Sequence, residues 1–232
     1  MRTVSSLDVL VRRAQELVRP GHRAVVGITG SPGAGKSTLA EALVEALAAT
    51  APDGVAHVPM DGFHLADVEL SRLGRLARKG APDTFDADGY AALLERLRAT
   101  GPGAPPGSHA ASEVVYAPAF ERGLEQPVAG SVPVSPQCRL VVTEGNYLLL
   151  DDPAWQRARA CVDDVWFCAL DDEERRRRLV ARHVRFGKTP GTAERWVRGT
   201  DDPNARLVEA CRERADVLVT GDLLSPGPAG SR

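Results

Sequence analysis

The segment Gly30-Ser31-Pro32-Gly33-Ala34-Gly35-Lys36-Ser37 has the G-x-x-x-x-G-K-S spacing of a phosphate-binding loop. Glycines at these positions let the backbone curl so that successive N–H groups point inward at phosphate oxygens. Lys36 supplies a cation for the outer phosphates, the Ser37 hydroxyl is a candidate Mg²⁺ ligand, and Thr38 completes the nucleotide-binding set. The motif needs a strand before it and a helix after it. Residues 24 to 29 form a β-branched apolar run, and Leu39, Leu43 and Leu47 recur at helical spacing. The helix also aims its positive dipole end at the loop. A nucleoside triphosphate with Mg²⁺ is the cosubstrate class expected.

Two carboxylates stand at other predicted strand ends. Asp61 follows the run 55 to 60 and is read as the base that orients or deprotonates an attacking hydroxyl, with helix capping as the plainer alternative. Glu144 closes Leu140-Val141-Val142-Thr143, the pattern of a strand whose acid holds Mg²⁺. Its alternative is a carboxylate bonded to the phosphate loop without touching metal.

Arg175, Arg178, Arg182 and Arg185 recur at spacings of three and four residues and share one helix face. That face is either solvated or part of a lid, about residues 172 to 200, that closes Arg178 and Arg182 over the transferring phosphoryl group. Gly187 and Pro190-Gly191 would bracket its hinge. A second row, Arg72, Arg75 and Arg78, is read as a solvated face or as a holder of an anionic acceptor. Tyr116, Phe120 and Arg122 surround a Pro118 turn and are candidates for an acceptor pocket. His64 either contacts the acceptor or caps a helix end.

The elements that must position these residues alternate. Strands are expected at 24 to 29, 55 to 60, 113 to 117, 139 to 144, 164 to 170 and 216 to 220, most of them separated by helical periodicity, which implies a mostly parallel sheet covered on both faces. In such sheets ligands sit beyond the carboxyl ends of the strands. The chain is read as one domain over 1–232: an N-terminal helix within 1–22, a core over 23–222 and a flexible tail over 223–232. The Gly- and Pro-rich stretch from Gly101 to Ala111 is expected to be mobile.

Lys plus Arg number 29 against 31 for Asp plus Glu, so total charge offers no argument for nucleic acid or membrane binding. The only lysines are Lys36, Lys79 and Lys188, so the one in the phosphate loop is no by-product of a lysine-rich surface. Cys138, Cys161, Cys168 and Cys211 form no C-x-x-C pair, which favours reduced thiols in a cytoplasmic protein. The sequence shows no signal peptide and no apolar run long enough to span a membrane.

Five motifs in order resemble a family. They are the phosphate loop, Pro59-Met60-Asp61-Gly62-Phe63-His64, Lys79-Gly80-Ala81-Pro82-Asp83-Thr84-Phe85-Asp86, Glu144-Gly145-Asn146-Tyr147-Leu148-Leu149 and Arg178-Leu179-Val180-Ala181-Arg182-His183. Together, over residues 23 to about 220, they resemble the P-loop kinases related to uridine kinase, phosphoribulokinase and type I pantothenate kinase. Within that group the likeness is greatest to nucleoside/nucleotide kinase family proteins and fructose transport system kinases.

The resemblance implies an α/β, three-layer P-loop NTPase fold with a helical lid, and transfer of the ATP γ-phosphate to a hydroxyl of a nucleoside, sugar or pantothenate-like acceptor. Asp61 would be the base and Glu144 the acid near Mg²⁺. Lys79, Asp83 and Asp86 would belong to the substrate loop, and Asn204, in Asp202-Pro203-Asn204-Ala205, would lie near adenine. A homodimer is expected by analogy alone. Two departures stand out: Pro118-Ala119-Phe120-Glu121-Arg122 has Glu where relatives commonly have Asp, and the 101–111 connection is longer than usual.

Three alternatives have different requirements. A regulatory GTPase would need an N-K-x-D segment, and the sequence contains none. A mononucleotide or sugar-phosphate kinase would use the Arg72, Arg75 and Arg78 row for a substrate phosphate. An ATP-hydrolysing switch protein would need no acceptor pocket at Asp61.

Overall fold

The computed structural model describes residues 1–224, and the predicted tail lies almost wholly outside the described residues. Six strands form one sheet in which every pairing is parallel: β1 (Arg2–Val4), β2 (Ala24–Thr29), β3 (Val55–Pro59), β6 (Leu140–Glu144), β7 (Asp164–Cys168) and β8 (Val217–Val219). Their order is β1-β8-β7-β2-β6-β3. The remaining two strands, β4 (Val115–Glu121) and β5 (Gln126–Val134), make a separate antiparallel hairpin.

Helices cover both faces, as strands buried on both sides require. On one face α1 (Leu7–Glu16) and α2 (Lys36–Ala48) bury Leu10, Ala14, Leu39, Leu43 and Leu47 against Val26, Ile28, Val142 and Trp166. On the other, α4 (Ala87–Ala99) and α6 (Pro153–Ala160) bury Tyr90, Leu94, Leu97 and Trp155 against Val25, Val141, Val165 and Phe167. α3 (Asp67–Arg72) and the loop over 79–85 lie beside Asp61, and α5 (His109–Ser112) packs on the turn at Gly101–Gly103. The C-terminal layer holds α7 (Asp172–Arg185), α8 (Pro190–Trp196), a π-helical turn over Val197–Asp201 and α9 (Asp202–Glu209).

The strand expected at 113 to 117 lies in the hairpin rather than the main sheet. Its partner β5 was not foreseen, because Pro127, Gly130 and Pro133 break the strand signal in a segment whose side chains are largely exposed. β1 was missed as well, being three residues long and held only by pairing with β8. The 101–111 stretch contains a tight turn at Gly101–Gly103 followed by α5. Its start is anchored by the fully buried Arg23, which donates to the Leu97 carbonyl at 2.8 Å, to Thr100 Oγ1 at 3.0 Å and to the Cys138 and Ser135 carbonyls. Gly101, at φ +57, leaves room for that guanidinium.

The four cysteines are buried and unpaired. No helix of the described residues is long and apolar enough to cross a membrane.

Candidate active site

Register aligns the site. Ile28 of β2, Glu144 of β6 and Pro59 of β3 lie side by side across the sheet. The phosphate loop leaves β2 just beyond Ile28, and Asp61 follows two residues after Pro59. Glu144 therefore stands between the phosphate loop and Asp61 at the carboxyl edge, where open parallel sheets bind ligands.

The loop is held in shape before any ligand arrives. Gly33 and Gly35 adopt φ values of +83 and +93, in the left-handed region that favours glycine. A Cβ on Gly33 would lie 2.7 Å from Leu179 Cγ, and one on Gly35 would strike the Leu224 carbonyl. Gly30 packs directly on the Cys168 backbone, and Pro32 reaches the rim of the cavity that Asp61 lines. Ser31 is anchored by its hydroxyl to Glu209 at 2.8 Å, and Ala34 is buried beneath the loop. Lys36 Nζ donates to the Ser31 carbonyl at 3.1 Å, and burial lowers its pKa.

Ser37 Oγ donates to Glu144 Oε1 at 3.1 Å. Glu144 is 5% exposed. Burial first, and then the Asp61 charge, push its pKa up to about 7, while Lys36, Ser37 and Arg122 pull it down. Two hard oxygens at the mouth of a phosphate cradle, one of them a carboxylate in want of positive charge, fit a Mg²⁺ ion that keeps most of its waters.

Two cavities open on this edge. The first, of about 910 Å³, is lined by Gly33, Gly35, Lys36, Ser37 and Thr38 on one side and by Arg178, Leu179, Arg182 and Arg185 of α7 on the other. The second, of about 700 Å³, is lined by Asp61, His64, Lys79, Phe120, Asn146, His183, Asp201 and Asn204 among others. Arg122, Arg182 and Phe186 border both, so the cavities meet at two guanidinium groups. Loss of hydration in the cleft and the like charge of Arg122 lower the pKa of Arg182, which remains a cation. The Asp61 carboxylate makes no hydrogen bond among the described residues and faces the second cavity.

The acceptor-side residues are fastened to one another. His64 Nδ1 lies 2.8 Å from the Asp61 carbonyl oxygen, and its ring packs between Phe85 at 4.0 Å and Phe120 at 4.8 Å. Burial lowers the His64 pKa, so its ring is neutral around pH 7. Lys79 Nζ donates to Asp67 Oδ1 at 2.7 Å and to the Glu125 carbonyl at the hairpin tip, and it lies 5.3 Å from the Phe120 ring centre. The hairpin packs so closely on the Asp61-Gly62 turn that a Cβ on Gly62 would strike the Pro118 carbonyl.

Several candidates are placed elsewhere. Tyr116 is 60% exposed on β4, outside both cavities. Asp83 is taken up by Arg78 at 2.5 Å and Arg75 at 3.4 Å, and Asp86 caps α4 by accepting from the Gly89 N–H. Both line a third hollow, of about 500 Å³, with Asp88, Asp151, Asp152 and Trp155. Asn204 lies on the Asp61 cavity and donates to the Gly80 carbonyl at 3.2 Å, rather than on the phosphate-loop cavity where adenine was expected. Arg175, 2% exposed, is an internal clamp to Asp202 at 2.6 Å. Arg178 is held by Glu174 at 2.6 Å and by the Leu224 carbonyl. Arg72 pairs with Glu69, so the whole Arg72, Arg75 and Arg78 row is engaged away from the cavities.

The sequence reading missed Asp201, Trp196 and Lys188 on the second cavity and Glu41 on the first. Among them only Asp201 left a trace, as an acid directly ahead of the Asp202-Pro203-Asn204 segment.

Residues 5–62, a quarter of the chain that includes the phosphate loop, match the family described as Methylmalonyl Co-A mutase-associated GTPase MeaB. The ATP-dependent kinase-like protein notR' of Aspergillus versicolor is 37% identical over 169 residues, covering 70% of this chain and 94% of the relative. The "Putative uridine kinase C227.14" of Schizosaccharomyces pombe is 34% identical over 203 residues, covering 85% of this chain and 82% of the relative. The crystal structure of a "putative fructose transport system kinase" from Silicibacter sp. TM1040 superposes with a TM-score of 0.80 at 37% identity, over 93% of this chain and 99% of that one. With relatives of this identity and coverage joined to a cradle and facing carboxylates of this geometry, the chain belongs to the P-loop kinases related to uridine kinase.

Proposed function

We propose that the protein is an ATP-dependent small-molecule kinase that transfers the γ-phosphate to an acceptor hydroxyl. The observation that carries this reading is the junction of the two cavities: one wraps the phosphate loop, the other holds an unbonded Asp61 carboxylate, and Arg122 and Arg182 stand where they meet. A phosphoryl group passing between them would cross a junction bordered by these two guanidinium groups.

In this reading the loop N–H groups and Lys36 bind and orient the triphosphate. Ser37 and Glu144 would hold Mg²⁺, which when bound supplies charge neutralisation on the phosphate oxygens. Asp61 accepts the proton of the acceptor hydroxyl as its oxygen bonds to the γ-phosphorus. The bond from that phosphorus to the β–γ bridging oxygen breaks, and ADP leaves. Arg182 and Arg122 stabilise the equatorial oxygens, where charge spreads. His64, Phe85 and Phe120 exclude water from the nucleophile's side.

The engaged state of Arg72, Arg75 and Arg78 supports an acceptor whose phosphate, if it had one, would not be read by that row.

The test is ADP production from Mg·ATP across nucleosides, sugars, pantothenate, glycerate and their monophosphates, with Asp61→Asn in parallel. Acceptor-dependent turnover that falls about 10²- to 10⁴-fold in the variant, with ATP affinity retained, is the expected result. Turnover independent of acceptor and indifferent to Asp61→Asn would establish an ATP-hydrolysing switch instead.

A further inference from the structure

Between α8 and α9 the chain makes a π-helical turn over Val197–Asp201. Such turns insert a residue into a helix, re-aim the side chains around it and recur at functional sites. Here the consequence is that two adjacent acids have different destinations. Asp202 is bound within the protein by Arg175 at 2.6 Å and Arg176 at 3.1 Å. Asp201 lines the acceptor cavity, where its Oδ2 takes a hydrogen bond from His183 Nε2 at 2.9 Å.

Asp201 is 7% exposed, and its second oxygen, Oδ1, has no hydrogen bond among the described residues. That oxygen is open to the cavity, so a ligand donor can reach it without displacing His183. The imidazole cannot take a second role toward that oxygen, because it already donates Nε2–H to Oδ2 and so fixes the carboxylate plane. Around the same cavity Asn204 spends its Nδ2 on the Gly80 carbonyl, which leaves its amide oxygen as another acceptor. Asp61 and Asp201 both act electrostatically on Arg182 and on the Tyr147 phenol, which places the two carboxylates around one common region. The lining balances Asp61, Asp67, Glu125 and Asp201 against Lys79, Arg122, Arg182 and Lys188, so its charge does not sort acceptors by sign, and the open acceptor atoms of Asp201 and Asn204 select a ligand with O–H donors.

Resting on the kinase reading above, we propose that Asp201, oriented by His183, is a specificity-determining residue. It takes a second hydroxyl of a polyhydroxylated acceptor while Asp61 takes the proton of the hydroxyl that is phosphorylated. His183 is a positioning residue in this arrangement, acting through Asp201.

The experiment measures acceptor KM and kcat for neutral polyols, their single-deoxy counterparts and anionic alcohols such as glycerate and pantothenate. It uses the wild type, Asp201→Asn and His183→Gln, with Asp61→Asn identifying true transfer. For the preferred polyol, Asp201→Asn is expected to raise KM about 10- to 100-fold, the worth of a hydrogen bond to a charged group, with kcat changed only a few-fold. One deoxy counterpart is expected to lose the same factor in the wild type and little further in Asp201→Asn, a signature that a merely structural role would not produce. The wild-type comparison holds even if a variant folds poorly. Unchanged polyol KM in Asp201→Asn, or additive losses for the variant and every deoxy counterpart, would overturn the proposal. So would Asp61-dependent transfer in which removing any one further hydroxyl from the acceptor leaves KM unchanged, and that result would leave the kinase reading standing. Absence of Asp61-dependent transfer with every acceptor would overturn the kinase reading and this assignment with it.

Discussion

Ser37 Oγ and Glu144 Oε1 are joined by a 3.1 Å hydrogen bond that ties the first turn of α2 to the end of β6. The bond lies over the row Ile28, Glu144 and Pro59, so sheet register, rather than any flexible contact, sets the separation between phosphate loop and Asp61. Rigid elements carry both halves of the proposed reaction, and the hairpin and α7 bring the guanidinium groups to them.

Glu144 carries a stability cost with a definite sign. Its folded pKa of about 7 exceeds the ordinary 4.5, so the folded state retains a proton that the unfolded chain has released. Stability from this group therefore falls as pH rises from about 4.5 to 7, and the deficit is complete above that, of order 3 kcal/mol. In the absence of nucleotide and divalent cation, Glu144→Gln is expected to melt above the wild type at pH 8, with the gap closing toward pH 5. Thermal melts across that range check it, and a gap independent of pH would show that the carboxylate charge is not its source.

Lys36→Ala removes the charge-assisted contact to the outer phosphates. ATP affinity and turnover are expected to fall together, each by about 10- to 100-fold. Calorimetric titration with ATP reads the first and initial rates the second; undiminished affinity would place the triphosphate elsewhere.

Arg175 and Arg182 share a helix and should fail differently. Arg182→Ala is expected to lower kcat about 10²- to 10³-fold with little change in melting temperature, since it stands at the cavity junction. Arg175→Met breaks a buried pair with Asp202 and is expected to cost about 3 kcal/mol of stability. Denaturant titrations and rates on both variants separate them, and equal effects on stability would contradict the assignment.

Lys79 is a strut between α3 and the hairpin tip, whose Glu125 sits at φ +54. Lys79→Ala is expected to loosen the hairpin, reducing kcat about 10-fold or more while nucleotide affinity holds, and to speed tryptic cleavage after Arg122. Lys79→Arg should restore much of both. A variant with normal rates and unchanged proteolysis would mean that the hairpin is held by its packing on Gly62 alone.

Local chemistry made part of this protein readable without coordinates. The phosphate loop, its strand and its helix are contiguous in sequence, and their glycines, apolar spacing and Lys36 act over a few residues. Asp61 and Glu144 were legible for the same reason, each closing an apolar strand. Alternation of strands and helices was enough to imply a parallel sheet with two covered faces. Partner choice across the fold was not legible. Nothing near Asp83 or Asp86 announced that Arg78 and the α4 N-terminus would claim them, and nothing in the arginine row distinguished the buried Arg175 from the cavity-lining Arg182. Helical spacing assigns a face, whereas reach and burial depend on what packs against it. Asp201, at the end of the π-helical turn, and Asn204, in α9, come to the Asp61 cavity from the C-terminal layer. That placement is made by long-range packing, and only the tertiary structure decided it.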